Sequence, residues 1–427
     1  MAGRWRAVAG RWRARWRAGS WVALAVALGI ELLDELVDGT KSAALPLIRA
    51  GLHLSYTEIG LLVAVPLLAG SLIELPLGLV AGYGRRRNLL VLAGGLVLAG
   101  SLVVVALSGV FGVLLVGLVA FFPASGAFVS LTQAALMDDA GDGPGQQQRM
   151  ASWNLAGAVG AVAGPLLLVL VLTAGGTWRW AYLLLAGLAV VATVAAAAGG
   201  PAKRTLSSSG GQDSAVGGGA DAGAGEAADR ATGAREALAA IRQGDLARWL
   251  ILLEVTDLLL DVLTGYVAIY LVDVGHVSPA RAAIAVAVRL GAMLAGDVAF
   301  VPIARRVSAG TALRASAVAA ALLYPAFLLL PWFGAKLAVL AALSIATACW
   351  YPVAQAGLYG SVPGRSGVAV FWSSAAGFVG AIGPLAVGLL AQRLGLTWAL
   401  AALAVAPLAV LALLPGRAGR RSHKVIR

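Results

Sequence analysis

The stretch Glu31-Leu32-Leu33-Asp34-Glu35-Leu36-Val37-Asp38 puts four carboxylates into eight residues of a largely apolar chain, and Glu254-Val255-Thr256-Asp257-Leu258-Leu259-Leu260-Asp261 echoes it. Glu31, Asp34 and Asp38 precede Glu254, Asp257 and Asp261 by 223 residues, and Glu74 precedes Asp297 by the same interval. Acids make up 20 of the 427 residues, so four coincidences at one offset are hard to ascribe to chance. His53 and His276 keep the interval as well. Duplication accounts for the pattern, and a duplicated apolar chain implies two bundles facing each other across a site.

The surroundings of the stretch fix the fold class. The chain is 60% hydrophobic and 12% charged, with a mean hydropathy of +0.88. Long apolar runs divided by short polar breaks read as membrane-spanning helices of about 20 residues. Twelve are predicted, over 20–45, 56–81, 88–108, 113–136, 151–173, 179–198, 249–272, 280–303, 311–330, 337–358, 367–391 and 397–414. A membrane β-barrel would alternate polar and apolar residues in segments of about ten, a pattern the chain lacks. An all-α integral membrane protein of two six-helix bundles follows: a basic N-terminal segment over 1–19, bundles over 20–198 and 247–414, a linker over 199–246 and a basic tail over 415–427. The linker is rich in Gly, Ala and Ser and reads as flexible, closing in a short amphipathic helix.

A net charge of +12 raises the question of nucleic acid, but its placement argues for membrane orientation. With the N-terminus inside, cytoplasmic segments carry 25 of the 32 Lys and Arg residues and external ones carry five. That bias puts both termini in the cytoplasm of a plasma or inner membrane and meets anionic lipid. Trp5, Trp12 and Trp16 interleave with arginines, as in a basic segment lying at lipid headgroups. Cys349 is the single cysteine, so no disulfide forms within the chain, and no Cys/His spacing suits a metal. No cofactor is expected, and a monomer is.

The repeat extends further. Val63-Ala64-Val65 matches Val286-Ala287-Val288 at 223, while Trp153 and Gly164-Pro165-Leu166 match Trp372 and Gly383-Pro384-Leu385 at 219. After span 2 comes Gly78-Leu79-Val80-Ala81-Gly82-Tyr83-Gly84-Arg85-Arg86-Arg87, and span 5 carries Gly157, Gly160 and Gly164-Pro165. Six plus six helices in parallel halves, with these motifs, resemble the major facilitator superfamily. The first motif is similar to that family's Gly–Asp–Arg–Gly–Arg–Arg loop but lacks the aspartate, so that residue's ion pairing at the cytoplasmic gate is not implied here. The second is similar to a glycine–proline signature common in proton-coupled exporters. Span 11 repeats its Gly-Pro, so close packing and a local kink at Gly160, Gly164, Pro165, Gly383 and Pro384 explain it equally well. The resemblance implies alternating access, with Gly78, Gly84, Arg85 and Arg86 at the cytoplasmic gate. Asp138 and Arg149 bracket the loop after span 4 and are expected to pair, holding either the gate or merely the loop.

At 100° per residue, Glu31, Asp34, Glu35 and Asp38 fall at about 0°, 300°, 40° and 340°, within an arc of about 100°. Glu254, Asp257 and Asp261 repeat the arc on span 7, where Leu258 stands for Glu35. Glu74 and Asp297 add one acid each on spans 2 and 8, for nine intramembrane carboxylates. Facing lipid, nine acids would cost on the order of 20–30 kcal/mol at roughly 2.5–3.5 each. The stripes are therefore expected to line a water-filled cavity. Carboxylates this crowded cannot all be ionised together and titrate as coupled groups, which suits proton or cation binding. Lys41 and Arg289 are too few to neutralise nine acids. Arg289 replaces Pro66 of the first half and reads as a counter-ion or a substrate contact. Gln133 and Gln355, 222 apart, read as cavity liners or as interhelical hydrogen-bonding groups. His53 and His276 read as pH sensors or as solvated loop residues.

The function expected is secondary transport with protons as coupling ion, by efflux of a small cationic or amphiphilic solute. A divalent metal is the alternative cargo, because symmetric Asp/Glu clusters offer the oxygen ligands hard cations prefer. A non-transporting membrane sensor or scaffold is the alternative of another class. No nucleophile–base pair points to an enzyme, and no Gly-x4-Gly-Lys-Ser/Thr motif points to ATP drive.

Overall fold

The computed structural model describes residues 2–80, 85–138, 144–199, 245–362, 372 and 376–414. All regular structure among them is helical. The first half comprises α1 (Ala2–Leu52), α2 (Tyr56–Val80), α3 (Arg85–Leu107), α4 (Phe111–Asp138), α5 (Pro144–Thr173) and α6 (Trp178–Gly199). The second comprises α7 (Asp245–Asp273), α8 (Pro279–Ala304), α9 (Ala309–Leu329), α10 (Phe333–Thr347), α11 (Trp350–Ser361), α12 (Ile382–Leu394), α13 (Leu396–Ala401) and α14 (Val405–Leu413). The chain falls into two compact units: the described residues of 1–218 with Ser278–Ala287, and those of 219–277 with 288–427. Residues 200–244 of the linker predicted over 199–246, residues 367–371 and 373–375 of the eleventh predicted span, the tail over 415–427 and Gly84 lie outside the described residues.

Among the described residues eleven segments are long and apolar enough to cross a membrane, from Tyr56–Ile73 to Leu396–Leu413. Helices suit that setting because each backbone N–H and C=O is satisfied within the segment. The twelfth predicted span belongs to α1, whose apolar character is broken by Glu31, Asp34, Glu35, Asp38 and Lys41. At about 1.5 Å per residue its 51 residues run roughly 77 Å, far beyond a hydrocarbon core of about 30 Å. The helix does not begin near residue 20, as the sequence predicts, but continues through the basic N-terminal segment.

Three departures in the second unit share one cause. The tenth span breaks at Ala348–Cys349, four and three residues before Pro352. The helix over 376–394 turns at Ala381, three before Pro384, and the last span tightens to a 3-10 turn at Ala402–Ala404 ahead of Pro407. Proline has no N–H and its ring crowds the carbonyl four residues back, so the ladder opens there.

Helix ends follow local chemistry. Ser55 and Glu58 form a reciprocal capping box at α2: the Ser55 N–H donates to the Glu58 carboxylate at 2.8 Å, and the Glu58 N–H to Ser55 Oγ at 3.2 Å. The paired histidines stop α1 and the α7 extension in left-handed backbone, with φ of 53° at His53 and 50° at His276. The Leu54 N–H then donates to the Arg49 carbonyl at 3.0 Å, a bond that only the reversed residue between them permits. A β-branched side chain strains this region by roughly 1–2 kcal/mol, whereas glycine enters it freely. His53→Val is therefore expected to lower stability by about 1–2 kcal/mol and His53→Gly to leave it unchanged or raised. Thermal unfolding in detergent measures both; equal melting of the two variants would count against the left-handed stop.

In the first unit α1 meshes with α5, and α3 packs on α4 and α6. At the α1–α5 seam the backbones nearly touch. A Cβ at Gly160 would overlap the Leu32 carbonyl, one at Gly164 the Leu36 carbonyl, and one at Gly39 the Ala161 carbonyl. Pro165 leaves the Ala161 carbonyl without its usual helical donor, and Gly39 approaches that oxygen. Thr40 Oγ1 adds a hydrogen bond across the seam to the Gly164 carbonyl, 3.1 Å. In the second unit, buried tyrosines tie spans together: Tyr266 donates to the Pro384 carbonyl (2.8 Å), Tyr270 to Leu328 (2.8 Å) and Tyr324 to Leu400 (2.6 Å). Each hydroxyl is thereby satisfied away from water.

Candidate functional site

The four acids of α1 share a face, as their spacing dictates, but their surroundings differ. Glu31 is buried against α5, where it accepts a hydrogen bond from Trp153 and a Cβ at Gly157 would stand 2.6 Å from its Oε1. Asp34 accepts a hydrogen bond from the Ser125 hydroxyl on α4. Asp38 forms an ion pair with Lys41 one turn along the helix. The Lys41 ammonium also lies 4.8 Å from the ring centroid of Phe122. Asp34, Glu35, Asp38, Phe121, Phe122 and Ser125 line a cavity of about 300 Å³ between α1, α2 and α4. In its aromatic wall Phe121 and Phe122 meet edge to face, with centroids 5.4 Å apart and planes at 82°.

The α7 stripe begins in the same way. Glu254 accepts a hydrogen bond from the Gly380 backbone N–H, and a Cβ at Gly380 would overlap its Oε2. Each leading glutamate thus rests on a glycine, although the 219-residue repeat of these spans pairs Gly157 with Ala376 rather than with Gly380. Asp257 is half-buried and Asp261 exposed. Arg289 is fully buried and donates to Thr264 Oγ1 (2.9 Å), the Leu260 carbonyl (2.6 Å) and Ser344 Oγ (3.4 Å). These neutral oxygens meet the donor geometry of a buried guanidinium, which could not be left bare. The cation ties α7 to α10 beside Asp261, whose field acts on it. Thr264 holds the repeat position of Lys41, so each unit sets one cation about a turn beyond its last stripe acid.

Other predicted residues are more dispersed. Asp297 is exposed on α8. Glu74 and Gly78 lie on α2, Arg85 opens α3 and Asp138 ends α4, with their side chains outside the described residues. Gln133 lies 3.7 Å from the Met150 sulfur on α5 and does not line the cavity, and Gln355 donates to the Tyr351 hydroxyl of its own helix at 3.2 Å. Arg149 donates to the Leu136 carbonyl at 3.0 Å, bonding α5 to the end of α4. Arg86 is exposed, whereas Arg87 is buried and donates from Nε to the Leu131 carbonyl of α4 at 3.1 Å. Trp153, Ser125 and the two phenylalanines were not read as site residues from the sequence, and Arg87 was read only as part of the loop motif. Among the first four, only Trp153 left a signal, its match to Trp372.

The model of the Major Facilitator Superfamily matches residues 28–350. Solved structures share the fold at low identity. A bacterial homologue of the human lysosomal transporter Spinster, inward-facing and occupied, superposes with a TM-score of 0.69 at 14% identity, covering 92% of this chain and 95% of that one. The nucleoside transporter NupG gives 0.71 at 13%, over 92% of this chain and 100% of that one. A mutant of the peptide transporter POT in complex with sulfate gives 0.68 at 15%, over 91% and 94%. No curated protein sequence matches. A multi-pass helical membrane architecture and a family match over most of its length make this chain a member of the major facilitator superfamily, a transporter and not an enzyme.

Proposed function

We propose that the protein is a secondary transporter working by alternating access, exporting a small cationic or amphiphilic solute in exchange for protons. The supporting observation is the cavity beside α1, where carboxylates and phenylalanine rings share one wall. Carboxylates attract a cation, ring faces stabilise it further, and apolar edges accept the remainder of an organic solute. A carboxylate that holds a proton does not attract a cation, so proton and solute compete for one group. Each ligand then biases the equilibrium against the other, which exchange requires.

In this reading Asp34, Asp257 and Asp261 exchange proton and solute, and Asp38 holds the cation. Glu31 and Glu254, held against glycines, support them, with Glu35, Glu74 and Asp297 as accessory acids. Arg289 acts as the fixed counter-ion of the second stripe. Gln133 and Gln355 give polar support; Gly78, Gly84, Arg85, Arg86, Asp138 and Arg149 belong to the cytoplasmic gate. The protein works as a monomer in the plasma or inner membrane with both termini in the cytoplasm. The aromatic wall favours an organic cation over the alternative cargo, a divalent metal, because hard metal ions take oxygen ligands and gain little from phenyl rings.

The test is flux through the full chain in proteoliposomes loaded with benzyltrimethylammonium, a permanent cation with one ring. An imposed proton gradient is expected to drive it uphill and a protonophore to abolish the movement. A divalent cation moving in its place would favour the metal reading. Movement of neither would overturn the cation reading of the cargo.

A further inference from the structure

The cation seat of the first unit already holds an ammonium, and it belongs to the protein. Lys41 pairs with Asp38 and lies over the Phe122 ring, and both partners line the cavity. The Lys41 side chain is only 15% exposed while that of Asp38 is 51% exposed. The lysine is therefore folded inward while its carboxylate stays open to a competitor. Its other partners do not require this placement: an i,i+3 pair on a half-exposed carboxylate is weak, and the stem could extend toward water. The second unit has no counterpart on α7. Thr264 stands at the equivalent position, and Arg289 is spent on the neutral oxygens of Thr264, Leu260 and Ser344.

We propose that Lys41 is a tethered competitor that occupies the Asp38–Phe122 seat until a solute bearing a primary ammonium displaces it. This deepens the cation-transport reading and rests on it. The chemistry of the occupant defines the class of solute. An ammonium fits between Asp38 and the Phe122 face, as the lysine ammonium does. An apolar body fits beside Phe121, Leu67 and Val129. A cavity of about 300 Å³ lies at the small end of ligand sites, so the body is about one ring in size. Tethering gives Lys41 a high effective concentration, so the seat is filled in the resting protein and weakly held ions are turned away. On displacement Lys41 moves out with its charge, and the net charge of the site stays constant as solute enters.

The experiment is equilibrium binding of benzylammonium to the purified full chain in detergent, with benzyl alcohol as the neutral control. Lys41→Met is expected to bind benzylammonium about tenfold more tightly than the unaltered chain, with benzyl alcohol unchanged. Lys41→Arg, which keeps a tethered cation, is expected to retain the weaker binding. Adding Asp38→Asn to Lys41→Met is expected to remove the gain. A merely structural lysine would instead lower the melting temperature without raising affinity. Equal or weaker binding by a monodisperse Lys41→Met protein would overturn the competitor role while leaving cation transport standing. Failure of every variant to bind the ammonium would overturn both.

Discussion

Asp257→Asn is expected to abolish proton-driven transport while the protein still inserts and folds. The substitution keeps the size of the side chain, so packing of the half-buried position is preserved. What it removes is the capacity to alternate between a charge and a bound proton. Loss of one partner from a buried charge pair costs about 2–5 kcal/mol, and at the lower end of that range, suited to a half-buried group, gradient-driven transport of a cation should fall on the order of 100-fold. Asp34→Asn is expected to behave alike, because an asparagine carbonyl can still accept from the Ser125 hydroxyl and hold the local geometry. Uphill flux in proteoliposomes, set beside downhill exchange of the same solute, separates lost coupling from lost binding. Full uphill flux in both variants would remove the stripes from the mechanism.

Gly164→Ala should be among the most damaging conservative changes in the first unit, with Gly160→Ala and Gly39→Ala beside it. The added Cβ would overlap the Leu36 carbonyl and stand 2.5 Å from the Thr40 nitrogen. Both are backbone atoms of α1, so no rotamer change relieves the clash and the helices must part. Overpacking ordinarily costs about 1–3 kcal/mol, and the upper end or beyond is expected where only backbone can yield. The repeat-related Gly383→Ala supplies the contrast. There a Cβ would meet Leu258 Cδ1 at 2.8 Å, the far end of a flexible side chain that can turn aside. A cost near 1 kcal/mol or less is expected. Thermal unfolding of the two variants in one detergent compares them directly; a larger loss for Gly383→Ala would contradict the close seam.

Much of this was legible in the sequence because it rests on period. The spacing of Glu31, Asp34, Glu35 and Asp38 fixes their common face on any helix, and the 223-residue interval carries the face to α7. Eleven of the twelve predicted spans follow from apolar length, with the acid-bearing α1 outside that rule, and the breaks near Pro352, Pro384 and Pro407 follow from the missing N–H, although the continuous spans predicted there did not allow for them. The partners of the acids were not legible. Ser125, Phe122 and Trp153 reach the stripe from α4 and α5, and nothing local announces which residue of a neighbouring helix will face inward. Arg289 shows the same limit. It stood out as a departure from symmetry, but its anchoring to Thr264 and Ser344 depends on how α7, α8 and α10 pack. Gly157 and Gly380 are not repeat mates, and their purpose shows only with a carboxylate resting on each.

The glycine-lined seam between α1 and α5 has a mechanical consequence. Interlocked main chains leave no compliant layer to shear, so these two helices are a single stiff lever, and whatever tilts one carries the first stripe with it. Its counterpart in the other unit touches through the branched tips of Leu258 and Val262, which deform at little cost. Compliance is thus distributed unequally, and small rearrangements during a cycle should be absorbed around Asp257 while Asp34 keeps its local geometry.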